Sequence, residues 1–262
     1  MIFCNSYYSN IDIPEQPLTE FVLQRAAELV DKPAFIEGTS DRIITYGQLA
    51  DSIRRVAAGL AARGFSKGDI FAIYSPNLPE YAIAFHAVVS LGGVVATVNP
   101  SYTTQELVYQ LNDTGAKYLL TTPNLVNQAL EAVKQSQVKE VFVFGDAIGT
   151  TSFSVLLQSE GEAPQVQINP KEDLMVLLYS GGTTGLPKGV MHTHYTFGTN
   201  FYQFQNSESI TSEDRLIGVL PFFHAYGMLM LNYSLACGAT IVTMQGFDLE
   251  TAGTLHFHNR GF

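Results

Sequence analysis

Cysteine is almost absent. Cys4 and Cys237 are the only two in 262 residues, far apart and outside any metal-ligand spacing. That excludes a disulfide framework and a zinc ribbon. Charge is sparse too: 15% of residues are charged, and 14 Lys and Arg face 24 Asp and Glu, a formal net charge of −10. A chain this acidic, with no basic run, is a poor general binder of nucleic acid or of an anionic membrane. Any anion it holds must be gripped locally, by backbone donors and a few placed cations. No low-complexity segment and no repeat at a period of 20–50 residues is present. The first ten residues lack the positive-then-apolar layout of a secretion leader, so the reducing cytoplasm is the expected compartment. What the chain does have is apolar residues, 46% of the total. That share excludes intrinsic disorder, and the length suffices to bury a sizeable core.

Two uncharged stretches raise a membrane alternative. No Asp, Glu, Lys or Arg lies between Glu80 and Glu106, or between Arg215 and Asp248. Length alone would permit spanning helices. The first stretch is broken by Gly92-Gly93 and ends in Asn99-Pro100; the second contains Pro221, His224, Gly227, Asn232 and Gly238. Each reads better as a helix, a glycine turn and a β-branched strand: 81–91 then 94–98, and 228–236 then 239–243. Strands buried on both faces of a parallel sheet are also uncharged runs. No transmembrane span is therefore expected.

The rest of the chain repeats that alternation. Thr19 opens an apolar-periodic helix to about Leu29. Thr45-Tyr46-Gly47-Gln48 and Thr103-Thr104-Gln105-Glu106 fit capping boxes, with Gly64 and Gly115 just past the predicted helix ends. Strands are expected at 70–74, 118–121 and 141–144, with a helix at 125–134 and a surface connection over 161–169. Residues 174–179 read as a buried strand, 190–193 as a second one, and 215–220 as a third. Helix and strand alternating at these lengths predict an α/β fold of mainly parallel sheets with helices on both faces.

The strongest signal is Tyr179-Ser180-Gly181-Gly182-Thr183-Thr184-Gly185-Leu186-Pro187-Lys188-Gly189. Gly181, Gly182 and Gly185 free the backbone to turn its N–H groups inward, and no Cβ blocks close approach. Ser180, Thr183 and Thr184 add hydroxyls, and Lys188 adds the one formal positive charge. Such a concave donor set suits polyphosphate. A Walker A loop is excluded, because that motif needs Gly-Lys-Ser/Thr opening a helix, whereas Val190-Met191-His192-Thr193 continues as a strand. An ordinary hairpin turn needs at most two glycines and has no use for three hydroxyls and a lysine.

This segment resembles the signature loop of the adenylate-forming enzymes, the family of acyl-CoA synthetases, 4-coumarate–CoA ligases, beetle luciferases and peptide-synthetase adenylation domains. The resemblance runs from about Leu18 to Glu250. It includes Thr45-Tyr46-Gly47-Gln48-Leu49, Ser75-Pro76-Asn77-Leu78-Pro79-Glu80 and Asn99-Pro100-Ser101-Tyr102-Thr103, and is nearest to the 4-coumarate–CoA ligase and luciferase branch. It implies that a carboxylic acid and ATP form an acyl-adenylate, and that CoA then displaces AMP to give a thioester. It implies phosphate contacts from Thr184 and Lys188 within a nucleotide site of Ser180, Gly181, Gly182, Thr183, Thr184, Gly185 and Lys188. Mg²⁺ is expected to arrive with the ATP.

Pro221-Phe222-Phe223-His224-Ala225-Tyr226-Gly227-Met228 is the second constellation. A histidine among aromatics is as often a satisfied core residue as a functional one. Its place after a strand favours function, because ligands bind beyond the C-terminal ends of strands in open parallel sheets. By resemblance, His224 sits beside the reacting carboxylate and Tyr226 walls the acyl pocket, while Thr184, Lys188 and His224 carry the chemistry. No carboxylate lies between Pro221 and Gln245, so the ammonium of an amino-acid substrate would be buried without a partner. His192 and His194 alternate on the predicted strand, His256 and His258 lie near the end, and solvent exposure is expected for all four rather than metal binding.

Family members are roughly twice this long. The expected division is a tail over 1–17, an incomplete large N-terminal domain of the adenylate-forming fold over 18–250, and a segment over 251–262 that departs from the family pattern. Gly246 stands where many relatives carry a basic residue met by CoA, and no peroxisome signal ends the chain. Weak or no turnover by the chain alone is expected, with an exposed sheet edge open to association. A noncatalytic nucleotide-binding or regulatory fragment is the alternative.

Overall fold

The computed structural model of the protein describes residues 12–180, 186–205 and 210–244. Its elements, in chain order, are α1 (Leu18–Leu23), β1 (Pro33–Glu37), β2 (Ile43–Thr45), α2 (Tyr46–Ala62), β3 (Ile70–Tyr74), α3 (Pro79–Ser90), β4 (Val94–Val98), α4 (Thr104–Thr114), β5 (Tyr118–Thr121), α5 (Val126–Val133) and β6 (Glu140–Val143). There follow β7 (Thr151–Ser152), α6 (Ser154–Leu157), β8 (Leu174–Ser180), β9 (Lys188–Thr193), α7 (His194–Gln205), β10 (Arg215–Gly218), α8 (Ala225–Cys237) and β11 (Thr240–Thr243).

Local chemistry sets the helix ends. At α2 the Thr45 hydroxyl accepts from the Gln48 N–H at 3.2 Å, and Gln48 Oε1 accepts from the Thr45 N–H at 2.9 Å. Thr103 and Glu106 repeat the reciprocal pair at α4, which ends at Gly115 in the left-handed conformation. Both predicted capping boxes are thus formed. The helix expected over 19–29 stops at Leu23. Beyond it the backbone tightens into turns, with Ala26 N–H bonding Leu23 O and Leu29 N–H bonding Arg25 O, while the Arg25 guanidinium reaches Cys237 O at 2.9 Å. Those tertiary contacts outcompete a continued helix.

Among the described residues the strands form two sheets, of order β10-β11-β1-β2 and β7-β6-β5-β3-β4-β8-β9. Every pairing is parallel except β1–β2 and β8–β9. Side chains alternate along β3: Phe71 and Ile73 join the main core with α2, α3 and α8, whereas Ala72 and Tyr74 pack with Leu107 and Leu111 of α4 and Ala129 and Ala132 of α5. The central strands β3, β4 and β5 are therefore covered on both faces, which accounts for their lack of charge. The main core also contains Phe35, Ile44 and Ile241 of the smaller sheet. No described helix is long and apolar enough to cross a membrane.

Two expectations are corrected. The stretch 190–193 belongs to β9, which is not a buried parallel strand but an antiparallel edge with Val190 45% and Met191 67% exposed. Only seven residues separate Ser180 from Lys188, too few for the crossover a parallel pairing needs. His194 does not alternate with His192 on a strand facing solvent. It opens α7, is 1% exposed, and its Nδ1 accepts from the Leu18 N–H at 3.1 Å. The backbone N–H at the start of α1 thus finds its partner in an imidazole.

Candidate functional site

The site forms where β3, β4 and β8 end, since these parallel strands finish at the same end of the sheet. Asn77, in the turn after β3, is buried and makes three hydrogen bonds. Its Nδ2 donates to Gly218 O at 3.0 Å and to Leu220 O at 2.8 Å, and its Oδ1 accepts from the Phe222 N–H at 2.8 Å. One side chain thereby ties the end of β10, in the smaller sheet, to the end of β3, in the larger. Thr97 of β4 adds a second tie: its hydroxyl donates to Phe223 O at 2.8 Å and lies 3.4 Å from Leu177 O on β8. The ring of Phe222 is buried edge-on against Tyr81, centroids 5.9 Å apart.

These ties deliver His224 to the N-cap of α8. Its backbone N–H bonds Pro221 O at 3.0 Å, and its Nδ1 accepts from the Tyr226 N–H at 3.4 Å. With Nδ1 accepting, the ring proton sits on Nε2, which is thereby a donor. The side chain is exposed, and so is Tyr226, at 48%, beside Phe204 of α7. His224 is therefore not a buried core histidine. Gly227 is needed where it stands, because a Cβ there would lie 2.0 Å from Pro221 O.

The phosphate-loop candidate leaves from the same end of the sheet. Ser180 pairs with Lys188 across β8 and β9, and both are exposed. Gly181, Gly182, Thr183, Thr184 and Gly185 lie outside the described residues. Helix α4 flanks the stems: Tyr109 Oη donates to Pro187 O at 3.3 Å, and Tyr179 Oη donates to Asp113 Oδ2. Burial and then the Asp113 carboxylate push the Tyr179 phenol well above the usual tyrosine range, so its proton stays in the bridge.

Sequence reasoning missed Asn77, Thr97, Tyr109 and Asp113. Asn77 lies within the 75–80 segment that resembles the family, but its role depends on residues about 140 positions away that only the fold brings near. A separate cleft of about 640 Å³ is lined by Arg42, Glu80, Pro100, Asn124, Phe144 and Leu157 among others, and contains none of the predicted site residues. No group of three or more His, Cys, Asp or Glu among the described residues is placed to hold a metal ion. His256 and His258 lie outside the described residues.

Comparison with known proteins matches residues 22–259 to the family described as AMP-binding enzyme. The chain is 34% identical over 269 residues to probable 4-coumarate–CoA ligase 1 of Dictyostelium discoideum, covering 94% of this chain and 48% of that protein. It is 36% identical over 255 residues to 4-coumarate–CoA ligase 2 of Nicotiana tabacum, covering 95% and 47%. The chain thus spans about half the length of these relatives. The fold is similar to that of a long-chain-fatty-acid–CoA ligase from Archaeoglobus fulgidus, with a TM-score of 0.88 at 25% identity over 97% of this chain and 52% of that one. A red-emitting luciferase from Phrixothrix hirtus shares the fold at a TM-score of 0.84 and 22% identity, over 93% and 49%.

Proposed function

This chain belongs to the AMP-binding enzyme family, and from that premise we propose that it serves the ATP-dependent activation of a carboxylic acid to an acyl-adenylate, followed by transfer to CoA. The observation that carries the proposal is the pairing of Ser180 with an exposed Lys188 at the end of a buried strand, bracketing the Gly-Thr-rich connection. In the reaction a carboxylate oxygen attacks the α-phosphorus of ATP and pyrophosphate leaves. The CoA sulfur then attacks the acyl carbon, AMP leaves, and the thiol proton passes to solvent. Lys188, with Ser180 and the Gly181–Gly185 stretch that includes Thr183 and Thr184, is proposed to hold the phosphates, with Mg²⁺ entering as the ATP complex. His224 is proposed to face the reacting carboxylate, with Nε2–H as donor beside the positive end of α8. Tyr226 is proposed to wall the acyl group.

The acid is proposed to carry no ammonium near the carboxylate, since the 221–245 stretch has no carboxylate to pair with one. Hydroxycinnamates and medium- or long-chain acids fit this description. A second reading is nucleotide binding without turnover, because the predicted loop over 180–188 supplies donors for phosphates and no residue is assigned to the adenine or ribose.

The test is Mg·ATP titration of the purified chain, with ATP–pyrophosphate exchange and thioester formation across aromatic and fatty acids. Lys188→Ala is expected to weaken ATP binding by about tenfold or more, the loss of a charge-assisted hydrogen bond. Exchange with thioester formation supports the ligase reading. Binding without exchange supports the second. A chain that binds no ATP, or a Lys188→Ala variant that binds as before, overturns the site.

A further inference from the structure

Lys188 opens an edge strand, the place where a sheet frays most easily. Among the described residues strand β9 is paired on one side only, and its burial pattern is that of an exposed strand. Something beyond the β8 ladder is needed to give the lysine a defined position, because ordering a long, flexible side chain at the moment of binding is costly.

Helix α4 supplies it. Tyr109 and Asp113 are four residues apart and so face the same way from α4. Tyr109 holds Pro187 O, the carbonyl immediately before Lys188. Asp113 holds the hydroxyl of Tyr179, the residue immediately before Ser180. Tyr179 in turn lies flat across β9: it pairs with Gly189, and a Cβ on that glycine would come within 3.1 Å of the tyrosine ring. An aromatic ring covering a cross-strand glycine shields edge backbone that has no side chain of its own. Asp113 is also badly placed for helix stability, since a carboxylate in the last turn of a helix opposes the macrodipole. Its partner among the described residues is the Tyr179 hydroxyl.

We infer that Asp113, Tyr179 and Tyr109 form a brace from α4 to both stems of the connection between β8 and β9, and that this brace holds Lys188 in place for the nucleotide phosphates. They are positioning residues: none is assigned a contact with substrate, and all act through Lys188. The inference rests on the functional reading above for the ligand and on the geometry of the stems for the brace.

Two measurements separate these. The first is a double-mutant cycle read by Mg·ATP affinity. Tyr179→Phe keeps the ring over Gly189 and removes only the bridge, and is expected to weaken binding about three- to tenfold. Asp113→Ala should match it, and Asp113→Asn, whose amide oxygen still accepts from the phenol, should restore most of the loss. In a Lys188→Ala background Tyr179→Phe should have no further effect. Affinity unchanged by Tyr179→Phe, or a loss that adds to that of Lys188→Ala, overturns the inference. The second measurement is amide hydrogen exchange in the nucleotide-free chain. Tyr179→Phe should speed exchange across 186–193 about tenfold and leave β3 and β4 as they were. Unchanged exchange in β9 overturns the brace whatever the ATP result, whereas wild-type protein that binds no ATP overturns the functional reading and, with it, the brace's role toward phosphate.

Discussion

His224 and Lys188 stand at the same end of the seven-stranded sheet on opposite kinds of mount. The segment leading to His224 is held by Asn77, 6% exposed, through three hydrogen bonds of 2.8–3.0 Å. The segment leading to Lys188 is held by phenols and a carboxylate that solvent can reach. A buried hydrogen bond that is broken leaves polar groups without water, whereas an exposed one exchanges its partner for water at little loss. The contrast teaches that one proposed contact is fixed by buried bonds and the other by bonds at the surface. That division suits a site in which a carboxylate meets a donor locked by buried bonds and a polyphosphate meets a cation held by a brace that water can compete with.

The comparison can be broken at its strong side first. Asn77→Ala strands the Gly218 and Leu220 carbonyls and the Phe222 N–H, and is expected to cost about 4 kcal/mol. Urea denaturation measures this, and a loss below about 1 kcal/mol would mean the mount is not rigid. Gly227→Ala attacks the same mount sterically. A Cβ 2.0 Å from Pro221 O must push the loop off the helix, an expected loss of about 3 kcal/mol in the same assay.

Acid sharpens the contrast further, because the interior also holds two neutral histidines. Burial lowers the pKa of His86 to about 3, and lowers that of His194 to about 4 against the pull of Asp173. Folded-state values below the unfolded 6.5 mean that their contribution is complete above pH 6.5 and is lost as pH falls toward 4 and 3. Between pH 6.5 and 5.5 the two together should remove about 2 kcal/mol, as the unfolded chain takes up protons the folded chain refuses. Denaturation midpoints at the two pH values check the sign, and a flat profile would contradict the burial of both rings. Smallest of all is Tyr179→Phe, expected to change global stability by less than about 0.5 kcal/mol, in keeping with an exposed hydrogen bond. A loss as large as that of Asn77→Ala would erase the difference between the two mounts.

What was legible in the residues was what neighbours in sequence decide. Thr45 with Gln48, and Thr103 with Glu106, name their helix starts because both partners of each cap lie within one turn. Strands 70–74, 94–98 and 118–121 stood out because burial on both faces leaves no room for charge. The hairpin of β1 and β2 went unseen, since Pro33-Ala34-Phe35-Ile36-Glu37 shows no clean alternation and needs β11, some 200 residues on, to complete its pairing. Helix α7 was hidden by Gly198 and by a run of aromatic residues with weak helical preference. At the site, the motif pointed to Lys188 and His224, but Asn77 and Asp113 act across the fold and left no mark in spacing.

Parallel pairing of β1 with β11, Phe35 opposite Ile241, sets a timetable for synthesis. A ribosome adding about 5–20 residues per second needs roughly 10–40 s to travel from one partner to the other. Through that interval β1 lacks the neighbour on its β11 side, and Phe35 waits without the strand beside which it is buried. The seven-stranded sheet, whose strands all precede residue 194, can assemble during the wait. The smaller sheet is the last to close, so a nascent chain paused between β9 and β11 should be the species that binds a chaperone most strongly.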